Sequence, residues 1–153
     1  MNEYMRQAIT EAEKGIESGD GGPFGAVIIK DGRVVATAHN TVIIDGDPTA
    51  HAEMNVIRKA AKRLKTYDLR GCAIYTTGEP CPMCAYAIKW ANIGEVYYGC
   101  SHDDTDKIGF RDKVLKGKRP EEEEKTQTGI NIEREECLQL YDKWVHSPYK
   151  KLY

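Results

Sequence analysis

The chain has 153 residues, a formal net charge of -2, and hydrophobic residues at 41% of its positions. That length suits a single domain able to bury about two-thirds of its unfolded surface, and the slightly acidic balance argues against a nucleic-acid partner. No apolar run approaches the roughly twenty residues of a membrane span, and five cysteines, an odd number, without an apolar signal segment point to a reducing cytoplasm.

Met5, Ala8, Ile9, Ala12 and Ile16 repeat at helical spacing and stop at Gly19-Asp20-Gly21-Gly22, a cluster that breaks helices. Two β-rich runs, Gly25 to Lys30 and Arg33 to His39, flank Asp31-Gly32, a pair suited to a tight hairpin turn. Pro48-Thr49 predicts a turn and N-cap before a helix over Ala50 to Leu64, with Met54, Ile57, Ala61 and Leu64 as its apolar face. A strand from Cys72 to Thr77, a helix from Cys81 to Ala91 and a strand from Glu95 to Cys100 follow. The stretch Lys113 to Thr128 runs from lysines into Glu121-Glu122-Glu123-Glu124, the pattern of a solvated loop or exposed helix face. Ile130-Asn131-Ile132 forms a short strand, and Glu135 to Val145 a final helix with Leu138, Tyr141, Trp144 and Val145 as its stripe. Helices spaced between strands predict an α/β fold of three layers, a sheet covered on both faces, with the opening pair antiparallel. Residues 1–153 make one domain.

Two short stretches carry chemistry. His51-Ala52-Glu53 and Pro80-Cys81-Pro82-Met83-Cys84 together offer one imidazole, two thiols and a spare carboxylate. A structural zinc closes its tetrahedron with four protein ligands, whereas a catalytic zinc keeps three and leaves one position for water. His51, Cys81 and Cys84 make three. If Pro82 opens a helix, both sulfurs lie at its first turn, where exposed N–H groups and the macrodipole favour thiolates. His51 stands at a similar helix start, so two helix N-termini converge on one zinc ion.

Two thiolates and a neutral imidazole already cancel the dication, so the metal alone acidifies water less than one held by three imidazoles. A neighbouring carboxylate makes up the difference, and Glu53 is two residues from His51, a poor spacing for ligation from one helical face. Glu53 is therefore the general base and proton shuttle of a zinc-dependent deaminase, acting on an aminated, amidine-like ring carbon. Cys-x-x-Cys by itself also fits a redox pair or half of a structural zinc site. A purely structural metal would need a fourth ligand from His39, Cys72, Cys100 or a carboxylate. Cys72, Cys100 and Cys137 are expected to be buried small hydrophobes.

Gly22-Pro23-Phe24-Gly25-Ala26-Val27, Asp47-Pro48-Thr49-Ala50-His51-Ala52-Glu53 and Glu79-Pro80-Cys81-Pro82-Met83-Cys84 resemble the cytidine and deoxycytidylate deaminase family, most of all its bacterial guanine deaminases. The resemblance runs nearly end to end. It implies a five-stranded mixed sheet in an α/β/α sandwich, one Zn2+ per chain, and a small-molecule purine base as substrate, guanine being converted to xanthine and ammonia. It further implies that Phe24 packs on the purine, that Asn40 hydrogen-bonds the base, and that Asp112 accepts from the ring N–H and amine. Tyr153, the chain end, would cross to a partner subunit in a homodimer and close that subunit's site, with 148–153 as a swapped tail. Thr77-Gly78 stand where those enzymes usually carry Ser-Cys, and Arg111 where they carry a second acid. Guanosine deaminases and tRNA adenosine deaminases share much of the pattern, so a nucleoside or a tRNA adenosine remains an alternative substrate.

Overall fold

The computed structural model describes residues 1–115 and 129–153. Helix α1 (Glu3–Ser18) starts where the Asn2 side chain accepts from the N–H groups of Tyr4 and Met5, and ends at Gly19 in the left-handed region. Strands β1 (Gly25–Lys30) and β2 (Arg33–His39) form the expected antiparallel hairpin. Its turn residues Asp31 and Gly32 have φ of 49° and 70°, the backbone twist a two-residue hairpin needs. There follow α2 (Val42–Asp45), α3 (Ala52–Leu64), β3 (Cys72–Gly78), α4 (Pro82–Trp90), β4 (Glu95–Cys100), α5 (His102–Lys107), α6 (Asp112–Leu115), β5 (Ile130–Asn131) and α7 (Arg134–Val145).

The sheet is five-stranded and mixed, in the order β2-β1-β3-β4-β5. Strand β1 is antiparallel to both neighbours, whereas β3, β4 and β5 run parallel. Side chains alternate across it. Ala26, Ile28, Cys72 and Ile74 enter a core with Val56 and Ala60 of α3 and Ile88 of α4. Val27, Ala73 and Tyr75 enter another with Met5 and Ala8 of α1 and Cys137 and Tyr141 of α7. Helices on both faces leave β3 buried at every position, as a central strand of a covered sheet requires.

Two helical faces differ from expectation. On α3 the buried positions are Ala52, Glu53, Val56 and Ala60, with Ile57 and Leu64 flanking the core. The inward turn of Glu53 and the small residues that let α3 approach the sheet decide the face, not the largest apolar side chains. On α7, Cys137 and Leu140 join Tyr141 and Trp144 inside, while Leu138 and Val145 are only partly buried. Helices α2, α5 and α6 have four to six residues, too few to display a period. Of the stretch expected to be solvated, 116–128 lie outside the described residues.

The topology decides where function sits. The carboxyl ends of parallel β3 and β4 lie side by side, the usual place for a site in such a sheet. Because β1 is antiparallel to β3 and β2, its start lies at the same edge, with Ala26 opposite Thr76 and Gly25 opposite His39. Residues 20–25, 40–51, 79–84 and 101–112 converge there.

Candidate active site

Helix α3 has His51 as its N-cap and α4 has Cys81, both in extended backbone, and neither side chain makes a capping hydrogen bond. Thr49, expected to cap, instead closes a turn on Asp47. The side chains that would ordinarily satisfy the helix-start N–H groups are turned toward one another. Cys84 sits two residues into α4, after Pro82 has set the helical φ.

The His51 Nδ1 lies 3.6 Å from the Cys81 Sγ and 3.5 Å from the Cys84 Sγ. Zinc bonded at about 2.3 Å to sulfur and about 2.0 Å to nitrogen, with tetrahedral angles, requires N to S separations of about 3.6 Å. The three donor atoms all fall within 4.8 Å of one another, and they form the one such cluster of three or more among the described residues. They fit zinc, and no fourth donor among the described residues joins them. Cys72, Cys100 and Cys137 are buried and apart from the cluster. His39 is held elsewhere, by Glu11 and Asp20.

Glu53, one residue into α3, is 7% exposed. Burial pushes its carboxyl up to about 7, helped by the negative charge of Cys81 and opposed by His51. Cys81 holds its thiol well below the usual range because Cys84 hydrogen-bonds to it, with His51 adding to the effect against the cost of burial. Burial and the Cys81 charge raise the Asp112 carboxyl, which places that group, at the start of α6, in the field of the same cluster.

The chain end covers this cluster. The Tyr153 ring centroid lies 6.5 Å from that of His51 and 5.1 Å from that of Phe110, in its own chain. Phe110 meets Phe24 edge-on at 5.0 Å, and Phe24 meets Tyr141 at 5.9 Å. A row of rings thus runs from the core to the metal cluster. The Tyr153 hydroxyl is buried and has no hydrogen-bond partner among the described residues. Burial raises its pKa, so it is a neutral phenol. Asn40 is buried, accepts from the Val42 N–H through Oδ1, and lies against Gly21. The structure brings Phe24, Asn40, Asp112 and Tyr153 to the same edge as His51, Glu53, Cys81 and Cys84.

Sequence reasoning missed Phe110, His102 and Gly22. Gly22 stood in a motif without a role, and only the folded tail reveals one for it and for Phe110. A Cβ on Gly22 would lie 2.7 Å from the Phe24 ring, 2.8 Å from the Tyr153 hydroxyl and 2.9 Å from the Phe110 ring. Thr77 and Gly78 have structural reasons of their own. The Thr77 hydroxyl donates to the Pro23 carbonyl and accepts the Gly25 N–H, both at 3.1 Å, tying down the loop that carries Phe24. A Cβ on Gly78 would lie 2.5 Å from the Tyr141 hydroxyl. Arg111 is exposed.

Residues 1–100 match the model of the cytidine and deoxycytidylate deaminase zinc-binding region. Guanine deaminase of Bacillus subtilis is 42% identical over 151 residues, 98% of this chain and 97% of that one. A solved structure of guanine deaminase from the same organism superposes with a TM-score of 0.73, covering 99% of this chain and 98% of that chain. Guanine deaminase from Nitrosomonas europaea gives a TM-score of 0.80 at 27% identity, covering 93% and 82%. The tRNA-specific adenosine deaminase of Aquifex aeolicus is 44% identical over 95 residues, 62% of each chain. The family match spans both metal-binding stretches and the strands that present them, and the likeness to one member continues to the last residues. The chain belongs to the cytidine and deoxycytidylate deaminase family and is a zinc-dependent hydrolase.

Proposed function

We propose that this enzyme deaminates a free purine base, guanine to xanthine with release of ammonia. The observation that carries this reading is Tyr153, whose ring is held by Phe110 and lies 6.5 Å from the His51 ring, so that an aromatic side chain stands over the metal cluster. A covered site favours a bare base over a nucleoside, whose ribose needs more room, and over a folded RNA, which needs more still. A tRNA-specific adenosine deaminase of Buchnera aphidicola matches 90% of this chain at 32% identity, whereas the guanine deaminase matches 98% of it at 42%.

Zinc held by His51, Cys81 and Cys84 supplies acidification of the reacting water and a Lewis-acid charge. The rest falls to side chains. Glu53 takes one proton from the water as its oxygen bonds to the ring carbon bearing the amine, and gives that proton to the adjacent ring nitrogen. It then carries the water's second proton to the amine, the carbon–nitrogen bond breaks, ammonia leaves and a carbonyl remains. Asp112 accepts from the ring N–H, a group that guanine presents and adenine lacks on its six-membered ring. Asn40 and the Tyr153 hydroxyl hydrogen-bond the base, and Phe24 packs on it.

The working unit is a homodimer. Tyr67, Trp90 and Tyr86 are 89%, 82% and 57% exposed and line one groove of about 440 Å³ with Lys89 and Asn92. A helix as apolar as α4 with two bare aromatic rings reads as one face of an interface. At roughly 150–250 Å² per aromatic side chain, two such patches together bury on the order of 1,000 Å², the lower limit for a specific interface. A tail exchanged in the dimer makes with the neighbour the contacts that it makes here with its own chain.

Ammonia release from a panel of free bases, nucleosides and tRNA tests the substrate. Guanine should lead adenine, cytosine and guanosine, and inosine formation in tRNA without guanine turnover would overturn the reading. Sedimentation should give a dimer that Trp90→Lys dissociates.

A further inference from the structure

The two residues ahead of Cys81 are pinned by the turn that follows β4. Glu79 donates its N–H to the Cys100 carbonyl at 2.7 Å, and its carboxylate accepts the backbone N–H of His102 at 2.9 Å. The His102 ring adds a third link, with Nε2 2.9 Å from the Pro80 carbonyl oxygen and therefore donating to it. That third link differs in kind. A peptide unit is planar, so fixing the Pro80 carbonyl fixes the orientation of the Cys81 N–H on the same plane. It thereby sets the direction in which the Cys81 Cα and Sγ leave toward His51.

The ring is held there at a cost. His102 is 8% exposed, and its Nδ1 is buried without a hydrogen-bond partner among the described residues, 3.5 Å from the Glu79 Oε2. A buried polar atom left unsatisfied costs about 1–3 kcal/mol, which an apolar side chain of similar shape avoids. Packing alone is therefore a poor account of an imidazole at this place.

We propose that His102 is a positioning residue of the metal site, its Nε2–H holding the Pro80 carbonyl so that the Cys81 sulfur meets the His51 nitrogen at ligand distance. This rests on His51, Cys81 and Cys84 being the zinc ligands. Groups behind a metal ligand typically alter metal affinity or activity by 10–100-fold. In the zinc-loaded enzyme His102→Leu should therefore release zinc to a chromogenic chelator at least about 10-fold faster. Its kcat should fall with KM nearly unchanged, and the metal-stripped protein should melt near the parent temperature.

His102→Gln, whose amide N–H reaches the same carbonyl, should restore slow release. Zinc release from His102→Leu at the parent rate would overturn the proposal. So would equal acceleration in both variants accompanied by equal loss of melting temperature, the mark of a packing role. Zinc release is read without substrate, so failure of the guanine assignment would leave this result intact.

Discussion

Tyr153 meets Phe110 edge-on, with ring centroids 5.1 Å apart, and this contact seats the last residue of the chain beside His51. The tail also lays Leu152 against Gly109 and Tyr149 against Gly19. Deleting 148–153 removes these contacts and opens the metal cluster to water, without removing a core residue. Turnover of guanine should fall at least about 100-fold while zinc content stays near one per chain, because exclusion of water strengthens every charge in the site. Tyr153→Phe should cost less, on the order of 1–2 kcal/mol in kcat/KM, the worth of one hydrogen bond to the base. A truncated protein with full activity would remove the tail from the mechanism.

Gly22 tests the same contact from the other side. A Cβ there meets three aromatic tips at under 3 Å. Phe24 and Phe110 are packed into the cores, so the ring at the chain end is the one that must yield. Gly22→Ala should therefore lower kcat/KM about as much as loss of the Tyr153 ring while shifting stability by under about 1 kcal/mol. Pairing Gly22→Ala with the tail deletion should add little to the deletion alone, since both remove one contact. Additive losses would mean that Gly22 acts elsewhere.

Glu53 and the sulfur ligands should separate cleanly. Glu53→Ala should abolish ammonia release, at least the ~10²–10⁴-fold of a lost general acid–base, and keep zinc. Cys81→Ala or Cys84→Ala should lose the metal, because either leaves two donors. Metal analysis beside the activity assay decides it. Zinc loss from Glu53→Ala equal to that of the cysteine variants would make Glu53 a ligand.

Most of this architecture was legible because the signals were local. Strands 25–30, 33–39 and 95–100 follow alternation and turn chemistry, and the structure returns those bounds. The candidate metal ligands were legible because His51-Ala52-Glu53 and Cys81-Pro82-Met83-Cys84 occur together, whereas either stretch alone has several uses. What stayed hidden depends on contacts across the chain. Glu53 turns inward against the apolar pattern of its helix, since burial there serves the site and not the core. His102 looked like any polar residue at a helix start, and its role rests on a carbonyl 22 positions away. The position of Tyr153 in its own chain has no local signature.

Stability at low pH should report one further link, between α5 and α7. Arg134 grips Asp104 with two hydrogen bonds, Nε to Oδ2 at 2.9 Å and Nη2 to Oδ1 at 2.7 Å, and Asp104 also accepts the Ser101 N–H at the start of α5. The Arg134 pair, with the Ser101 bonds adding to it and burial opposing, lowers the Asp104 carboxyl from 3.8 to about 2. The sign follows from which state takes the proton first. As pH falls, the unfolded chain binds it near the ordinary value and the folded chain only near 2, so the contribution is complete above about pH 4 and is lost as pH falls toward 2. The shift is worth about 1–2 kcal/mol, allowing for the solvent-facing guanidinium. Asp104→Asn should therefore destabilise the metal-stripped protein by about that amount at neutral pH, measured as a urea midpoint at unchanged slope. The gap between variant and parent should shrink steadily below pH 4, and a gap that stayed constant down to about pH 2.5 would show that the Asp104 charge contributes nothing to the join.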